Sequence, residues 1–247
     1  MEKWRIVDYE FSDPFLNLAV EEAILLAVDK GLSPSTIRFW RNDRSVIIGR
    51  SQDIFKEVNI DSCTKYDIRI VRRFTGGGAV YNDYGNLNWS IIIDKSSTLY
   101  PKGIFELYEK ACRAVVEGLM HLGVKAEFRP PNSIWVEGKK ISGLAAYIKK
   151  NSVLCHGTLL INADLLILSE VLSNILHPVT NIEKYLRVDN PLSHVKKSIL
   201  YGFRRLYKID FYHDKLTSYE KETARQLYTN KFTKDIWNLR GIFPHDS

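Results

Sequence analysis

The chain has 247 residues, of which 45% are hydrophobic and 26% are charged, and its formal net charge is +6. This composition predicts a globular protein, and the scattered, modest excess of lysine and arginine does not indicate nucleic-acid binding. Three cysteines without a C-x-x-C spacing argue against a disulfide framework and a thiolate zinc site. No apolar stretch approaches the roughly 20 residues that span a bilayer. We therefore expect a soluble, cytoplasmic protein that binds neither nucleic acid nor membrane.

The first part of the chain predicts a strand followed by a helix. Residues 4–9 (WRIVDY) have the composition of a strand. Asp13 can cap a helix that begins at Pro14, because a short carboxylate side chain accepts the free backbone N–H groups of a first turn. Apolar residues then recur at helical spacing until Gly31, which should end the helix.

Strands dominate the next stretch. Runs rich in β-branched and aromatic residues predict four of them, with the sequences TIRFWR, SVIIGR, IRIVRRF and LNWSIIID. Three consecutive glycines, residues 76–78, separate the last two. The glycine run is therefore expected between strands and not at the start of a helix.

The middle of the chain predicts a helix over 104–122 that Gly123 ends, followed by strands within residues 133–162. Turns are expected at Glu137-Gly138 and at Lys150-Asn151. A short helix should follow the capping residue Asp164.

The last part of the chain, beyond Pro178, predicts mostly helix. Ser193 should open one helix, and Thr217 and Glu220 have the spacing of a capping box. The whole pattern indicates one α+β domain, with a core over 1–177 and a helical C-terminal extension over 178–247.

The glycine segment RRFTGGGAVYNDYGN (72–86) fits neither common phosphate-binding template. Tyr81 stands where the dinucleotide pattern needs its third glycine, and no lysine follows as in a phosphate loop. Residues without a Cβ nevertheless let a ligand approach backbone N–H groups, and arginine suits carboxylate or phosphate oxygens. If the strand alternates, one of Arg72 and Arg73 faces the glycines and the other faces away. A plain hairpin with solvated arginines is the alternative.

Two further segments accompany the glycines, EGKKISG (137–143) and LCHGTLLINADL (154–165). With RFWRNDRSVIIGRSQ (38–52), RRFTGGGAVYNDYGNLNWS (72–90) and the helix NLAVEEAI (17–24), they resemble the lipoate-protein ligases, within the biotin and lipoate ligase and octanoyltransferase group. The match covers most of residues 1–175. It implies a mixed, largely antiparallel sheet flanked by helices, similar to class II aminoacyl-tRNA synthetases.

The resemblance implies an ATP-dependent enzyme. Such ligases use ATP and Mg²⁺ to convert lipoic acid to lipoyl-AMP, and they then transfer the lipoyl group to a lysine of an acceptor. That acceptor is a lipoyl domain of a 2-oxoacid dehydrogenase E2 component or the glycine-cleavage H protein. Because a carboxylate must meet a triphosphate, the reaction needs fixed cations and aimed backbone donors.

The resemblance also implies the site residues. The family's lysine precedes a hydrophobic residue, a small residue and a glycine, so the catalytic lysine is Lys140. The implied lipoyl and nucleotide site contains Arg72, Gly76, Gly77, Gly78, Val80, Tyr81, Asn82, Asp83, Asn86, Gly143, Ala145, His156, Gly157 and Thr158. Asp83 is the candidate Mg²⁺ ligand. Leu87 and Leu144 are of the type that would line a dry slot for the lipoyl tail.

Three departures from the family bear on function. Asn82 stands where the family commonly has histidine. Cys155, beside His156, raises the rival mechanism of octanoyltransferases, which transfer through an acyl-cysteine without ATP; the two loops where those enzymes carry their cysteine contain none here. About 70 residues follow position 178 in place of a C-terminal accessory domain, so a separate small accessory subunit is expected to be needed for activation.

Overall fold

A computed structural model describes residues 1–242 of the protein. The main sheet has eight strands in the order β11-β1-β2-β6-β10-β9-β8-β7, and a small sheet has three in the order β4-β3-β5. The strands are β1 (Glu2–Asp8), β2 (Thr36–Trp40), β3 (Ser45–Ile48), β4 (Arg69–Arg72), β5 (Val80–Asn82), β6 (Asn86–Asp94), β7 (Ala126–Arg129), β8 (Ser133–Val136), β9 (Lys139–Ile148), β10 (Ser152–Leu160) and β11 (Ile209–His213). In the main sheet β1 runs parallel to β2 and β11, and the other pairs are antiparallel.

Helices cover both faces of the main sheet. They are α1 (Pro14–Asp29), α2 (Ile54–Glu57), α3 (Ile60–Lys65), α4 (Ile104–His121), α5 (Leu165–Val171), α6 (Pro191–Tyr207), α7 (Ser218–Leu227) and α8 (Asp235–Arg240), with a 3₁₀ turn at Ile182–Tyr185 and a π-helical turn at Tyr228–Phe232. Residues of α4 and α6 form a core with one face of the sheet, and α1 and α7 contribute to a core on the other. No helix within residues 1–242 is long and apolar enough to cross a lipid bilayer.

The two faces of the central strand β6 differ in polarity. Leu87, Trp89 and Ile91 enter the core below α4, whereas Asn88 and Ser90 alternate with them and are also buried. Side chains of a strand point alternately to opposite faces. The face of β6 that turns toward α1 therefore carries buried polar groups, and the candidate site lies on this face.

Several local predictions are confirmed. The Asp13 carboxylate accepts the backbone N–H of Phe15 at 2.8 Å and caps α1. Glu137 and Gly138 both have positive φ, at 47° and 74°, as a tight two-residue hairpin turn requires. The Thr217–Glu220 capping box is present at the start of α7. The predicted α+β class with a mixed, largely antiparallel sheet is also what the structure has.

The prediction for the last part of the chain is wrong in two details. Helix α6 begins at Pro191, because the side chain of Asn190 accepts the N–H of Ser193 and caps the helix before that serine. Strand β11 was not predicted, since its outer residues are exposed and do not alternate. This strand pairs with β1 at the edge of the main sheet, so the segment beyond 178 is not wholly helical.

Candidate active site

Two adjoining cavities lie where the small sheet faces the polar side of the main sheet. The first has a volume of about 150 Å³, and the second is larger, at about 550 Å³. Residues that line both are Gly78, Ala79, Val80, Asn132, Lys140, Gly143 and Thr158. Lys140 therefore stands at the junction of the two cavities.

The floor of the first cavity follows a row of residues across four strands. Trp40 pairs with Asn88, Asn88 with Thr158, and Thr158 with Gly143. Since neighbouring strands are about 4.8 Å apart, this row is about 14 Å long. Gly143 and Thr158 border both cavities, whereas Trp40 and Asn88 border only the first. The first cavity thus runs from Lys140 toward Trp40.

Lys140 reaches the cavity because of an irregularity in the sheet. Residues three positions apart in a regular strand face opposite sides of the sheet. The register between β8 and β9 shifts at Ile134 and Trp135, and this shift brings Lys140 and Gly143 close together. A Cβ placed on Gly143 would lie 3.0 Å from the Lys140 Nζ. Burial lowers the pKa of Lys140, and no carboxylate within residues 1–242 offsets this effect. The ammonium group is therefore poised to gain an anionic partner.

A chain of buried hydrogen bonds crosses from the glycine segment to α1. The Arg73 Nε donates to the Thr75 Oγ1 at 3.0 Å, and that oxygen lies 2.8 Å from the His156 Nε2. The His156 Nδ1 is 2.9 and 3.0 Å from the two carboxylate oxygens of Glu21, which is fully buried. With the imidazole proton on Nδ1, every donor in this series of hydrogen bonds has an acceptor. The chain fixes the orientation of His156 and Thr75.

Arg73 also shapes the glycine segment. Its Nη2 donates to the carbonyl oxygens of Gly76 at 2.6 Å and Gly78 at 2.8 Å, and its Nη1 donates to that of Ile47. Gly77 has a φ of 92°, and a Cβ there would lie 2.9 Å from the Arg73 Nη2. Glycine is therefore needed at position 77, because any other side chain would meet both strain and the guanidinium.

The structure does not place Arg72 beside either cavity. Its guanidinium points away from the glycines and donates to six backbone carbonyl oxygens at 2.8 to 3.2 Å. The acceptors are Gly49, Arg50, Gln52, Trp237, Asn238 and Leu239. The predicted alternation of the two arginines is present, and Arg73 is the one that faces the cavity.

Most of the other expected site residues do line a cavity. Gly77, Gly78, Val80, Asn82, Lys140, Gly143, Ala145, His156, Gly157 and Thr158 line the first cavity, together with Leu144, and Tyr81 lines the second. Gly76 and Asn86 line neither, and Leu87 is in the core below α4. Asn86 instead supports two lining residues, because its Nδ2 donates to the Tyr81 carbonyl and to the Thr158 Oγ1.

Asp83 lies outside both cavities, in a separate surface depression. Its two carboxylate oxygens accept the backbone N–H groups of Gly85 at 2.7 Å and Asp164 at 2.9 Å, so both are engaged in holding the loop. Within residues 1–242 no group of three or more His, Cys, Asp or Glu side chains is placed to hold a metal ion. The geometry of Asp83 does not fit a Mg²⁺ ligand facing the cavities.

The cysteines do not supply a nucleophile to the site. Cys63, Cys112 and Cys155 are all buried and unpaired, and none lines either cavity. Burial raises the pKa of the Cys155 thiol well above its ordinary value, and that of Cys112 to about 12. Because the thiolate is the reactive form, both groups are held in their unreactive state.

Sequence reasoning missed several residues of the site. Glu21, Trp40, Asn88 and Asn132 were not singled out, although all but Glu21 line the first cavity. Arg73 was considered together with Arg72, but the sequence did not decide which of the two faces the cavity. Two signals were available in the sequence. Glu21 is a charged residue among the apolar residues of α1, and Asn88 belongs to a polar alternation in an otherwise apolar strand.

Comparison with known proteins gives a consistent set of relatives. The model of the family described as "Lipoyl protein ligase A/B catalytic domain" matches residues 13–204. Lipoate-protein ligase A subunit 1 of Thermoplasma acidophilum is 32% identical, with 91% of each chain covered. Probable lipoate-protein ligase A of Mycoplasma pneumoniae is 38% identical over 76% of this chain, which spans about half (52%) of that relative's length. Octanoyltransferase LipM of Brevibacillus brevis is 29% identical, covering 97% of this chain and 100% of that one.

Solved structures give the same result. The bipartite lipoate protein ligase of T. acidophilum, described with its E2 lipoyl domain, superposes with a TM-score of 0.89 at 31% identity and 98% coverage of both chains. A T. acidophilum protein described as a putative lipoate protein ligase, with bound lipoic acid, gives 0.86 at 33% identity, covering 97% of this chain and 100% of that one. A lipoate-protein ligase A bound with ATP gives 0.88 at 32% identity, with 98% and 100% coverage.

Proposed function

The chain belongs to the lipoyl protein ligase A/B catalytic-domain family, and from this premise we propose that it is the catalytic subunit of a lipoate-protein ligase. It activates lipoic acid with ATP to lipoyl-AMP and transfers the lipoyl group to a lysine of an acceptor domain. The observation that carries the proposal is the position of Lys140 between a small cavity and a larger one. We assign the acyl chain to the small cavity and the nucleotide to the larger one.

The two cavities differ in a way that suits the two halves of lipoyl-AMP. The lipoyl tail occupies the first cavity, against Val80, Leu144 and Ala145, with its carboxyl carbon at the junction. The adenylate occupies the second cavity, beside Gly78 and Thr158, where backbone N–H groups without a Cβ nearby can approach a phosphate. Solved relatives described with lipoic acid and with ATP support this assignment.

The activation step brings two anions together. A lipoate carboxylate oxygen attacks the α-phosphorus of ATP, the P–O bond to the leaving pyrophosphate breaks, and lipoyl-AMP forms. The Lys140 ammonium, lying at the junction, offsets the negative charge of both reactants. Mg²⁺ carried by the ATP phosphates would neutralise the leaving pyrophosphate, as Mg²⁺ commonly does with few protein ligands. The buried charge of Arg73 adds to the positive potential from behind the glycine segment.

The transfer step uses the same lysine. The acceptor amine attacks the anhydride carbonyl carbon and an oxyanion forms. The C–O bond to AMP then breaks, and the attacking nitrogen loses a proton to water as the amide is completed. Lys140 is placed to donate to that oxyanion, and the chain from Glu21 through His156 to Thr75 keeps the adjoining wall rigid. A fixed donor needs no reorganisation during the reaction, which is why such positioning accelerates it.

We also propose a separate accessory subunit and an acidic acceptor. The T. acidophilum ligase that this chain matches along 98% of both lengths is described as bipartite and is associated with an E2 lipoyl domain. The acceptor is accordingly proposed to be a lipoyl domain of an E2 component or the related H protein. The net charge of +6 would attract an acidic acceptor over long range.

The second candidate function is an ATP-independent octanoyl or lipoyl transferase. The LipM match over 97% of this chain favours it. The chemistry of the site opposes it, because an acyl-cysteine needs an accessible thiolate and the three cysteines are buried away from both cavities.

The test measures acceptor mass after incubation with lipoate, in four mixtures that contain or lack ATP and contain or lack the candidate accessory subunit. We expect the lipoyl mass shift only with both, and transfer from preformed lipoyl-AMP without either. Lys140→Met should slow the appearance of the shift about 10²- to 10³-fold, whereas Cys155→Ser should retain the wild-type rate. Transfer from an octanoyl carrier protein without ATP, lost in Cys155→Ser, would contradict the proposal.

A further inference from the structure

Two cationic side chains without a carboxylate partner lie beside the glycine segment. Arg50 comes two residues after β3, its backbone N–H donates to the Thr75 carbonyl at 2.8 Å, and its guanidinium lies 5.8 Å from the centre of the Trp237 ring. Lys149 directly follows β9. Arg50 is exposed and Lys149 is half-buried, and neither forms an ion pair with a side chain of residues 1–242. We call these two residues the cationic patch.

Strand β9 relates the cationic patch to the candidate active site. Alternate residues of a strand share one face, so Gly143, Ala145 and Tyr147 point the same way, and Lys149 continues the series. Gly143 and Ala145 line the first cavity, and a Cβ at Gly77 would lie 3.6 Å from the Ala145 Cβ. The glycine segment therefore covers β9 between the cavity and the patch. Six residues separate Gly143 from Lys149, which is about 20 Å along a strand.

A buried lysine shows that the two cations of the patch lie close to the same point. Lys231 is 3% exposed, and its ammonium group is 2.7 and 2.8 Å from the two carboxylate oxygens of Glu22. Burial lowers the pKa of Lys231, and against the opposing effect of Glu22 the charges of Arg50 and Lys149 lower it further. Charges act strongly on one another only over about 10 Å, so both cations lie near this ammonium group. Three cations with one carboxylate leave this surface with an excess of positive charge.

The acceptor of the transfer step carries a charge of the wrong sign for the site. Lys140 and Arg73 place positive charge around the junction of the two cavities, and the acceptor lysine is itself a cation until it loses its proton. Like charges oppose the encounter, so an acceptor needs negative charge elsewhere on its surface and a cationic surface of the enzyme to hold it. The path from the junction to the cationic patch is open, because a Cβ at Gly76 or Gly78 would meet no atom within 4 Å.

Resting on the proposed function, we propose that the cationic patch is the docking surface for an acidic acceptor domain, which lies across the glycine segment while its target lysine reaches Lys140. The patch lies about 20 Å from Gly143, so the carboxylates that it binds are about that far from the target lysine and not next to it. A folded domain of about 100 residues, with a radius of gyration of about 13 Å, spans this distance. A free lysine does not.

The experiment measures initial rates of transfer from preformed lipoyl-AMP, at low salt, to two acceptors. One is the E2 lipoyl domain of T. acidophilum, and the other is Nα-acetyl-lysine amide. Arg50→Glu and Lys149→Glu should each lower kcat/KM for the domain about tenfold and leave kcat unchanged, because charges at a rim act on the encounter. High salt should remove most of this difference. Transfer to the small amine should keep the wild-type rate in both variants.

The matched controls are Lys125→Glu and Lys197→Glu, which change the net charge equally at exposed positions after α4 and on α6. They should keep the wild-type kcat/KM for the domain within about twofold. Three results would overturn the inference. They are an unchanged kcat/KM for the domain in both patch variants, an equal loss with domain and small amine, and an equal loss in the controls.

The wild-type chain separates failure of the inference from failure of the proposed function. If it transfers to both acceptors and one of these three results appears, the inference fails and the proposed function stands. If it transfers to the small amine alone, the inference also fails, because the patch then gives an acceptor domain no advantage. If it transfers to neither acceptor, both fail.

Discussion

Replacing Arg72 by lysine tests whether this residue supports the fold or binds the ligand. The guanidinium of Arg72 makes six hydrogen bonds to carbonyl oxygens, three in residues 49–52 and three in residues 237–239. A lysine ammonium has three donors, so at least three of these carbonyls lose their partner. At about 1 kcal/mol for each lost bond, Arg72→Lys should destabilise the protein by about 3 kcal/mol.

The assay is urea unfolding followed by circular dichroism. For a chain of this size an m value of about 3 kcal/mol/M is expected, so the midpoint should fall by about 1 M with m unchanged. Arg113→Lys is the matched control, because Arg113 is 61% exposed and its ion pair within residues 1–242 is with Glu109, one helix turn away. That change should alter stability by less than about 0.5 kcal/mol.

Ligand binding gives the contrasting measurement. Arg72→Lys should retain the affinity for lipoyl-AMP at temperatures where it is folded, whereas Arg73→Lys should weaken it, because Arg73 holds Gly76 and Gly78. If Arg72→Lys kept the wild-type stability within about 0.5 kcal/mol while losing lipoyl-AMP binding, a structural role for Arg72 would be refuted. That result would return Arg72 to the ligand site that the family resemblance implies.

Further predictions concern the cavity. Lys140→Met should lower the transfer rate about 10²- to 10³-fold. Burial lowers the pKa of Lys140, so this variant should also be more stable than wild type at neutral pH. As the pH rises toward 10.5, the native amine loses its proton before the unfolded one, and the difference in urea midpoint between variant and wild type should shrink. Gly143→Ala should displace the Lys140 ammonium and slow single-turnover transfer about tenfold with an unchanged melting temperature. Glu21→Gln should destabilise by about 3 kcal/mol, since buried Arg38 and Arg73 lose their nearby countercharge; a midpoint equal to wild type would contradict this.

Local signals in the sequence predict the elements of the fold well, because each depends on neighbouring residues. The cap at Asp13 and the capping box at Thr217 are contacts within a few positions. Strand β11 has no such signal, and its place beside β1 depends on residues about 200 positions earlier. Edge strands that are half exposed lack the alternation on which prediction relies.

The site shows the same division between local and distant information. Alternation along β4 predicts that one of Arg72 and Arg73 faces the glycines, but which one depends on how β4 pairs with β3. The closeness of Lys140 to Gly143 depends on a register shift that involves β8. A series of buried hydrogen bonds runs from Arg38 through Asn17 of α1 and Asn42 to Asn82, and only tertiary packing brings these four segments together.

The six-carbonyl contact of Arg72 also has a consequence for synthesis on the ribosome. Arg72 and the first of its distant acceptors, Trp237, are separated by 165 residues. At about 10 residues per second, the glycine segment is synthesised some 16 s before those acceptors are made. We expect β4 of the nascent chain to carry an Arg72 guanidinium with only half of its carbonyl acceptors. The first cavity should therefore acquire its final shape late. The surroundings of β4 are therefore complete only after α8 (Asp235–Arg240) has packed against it.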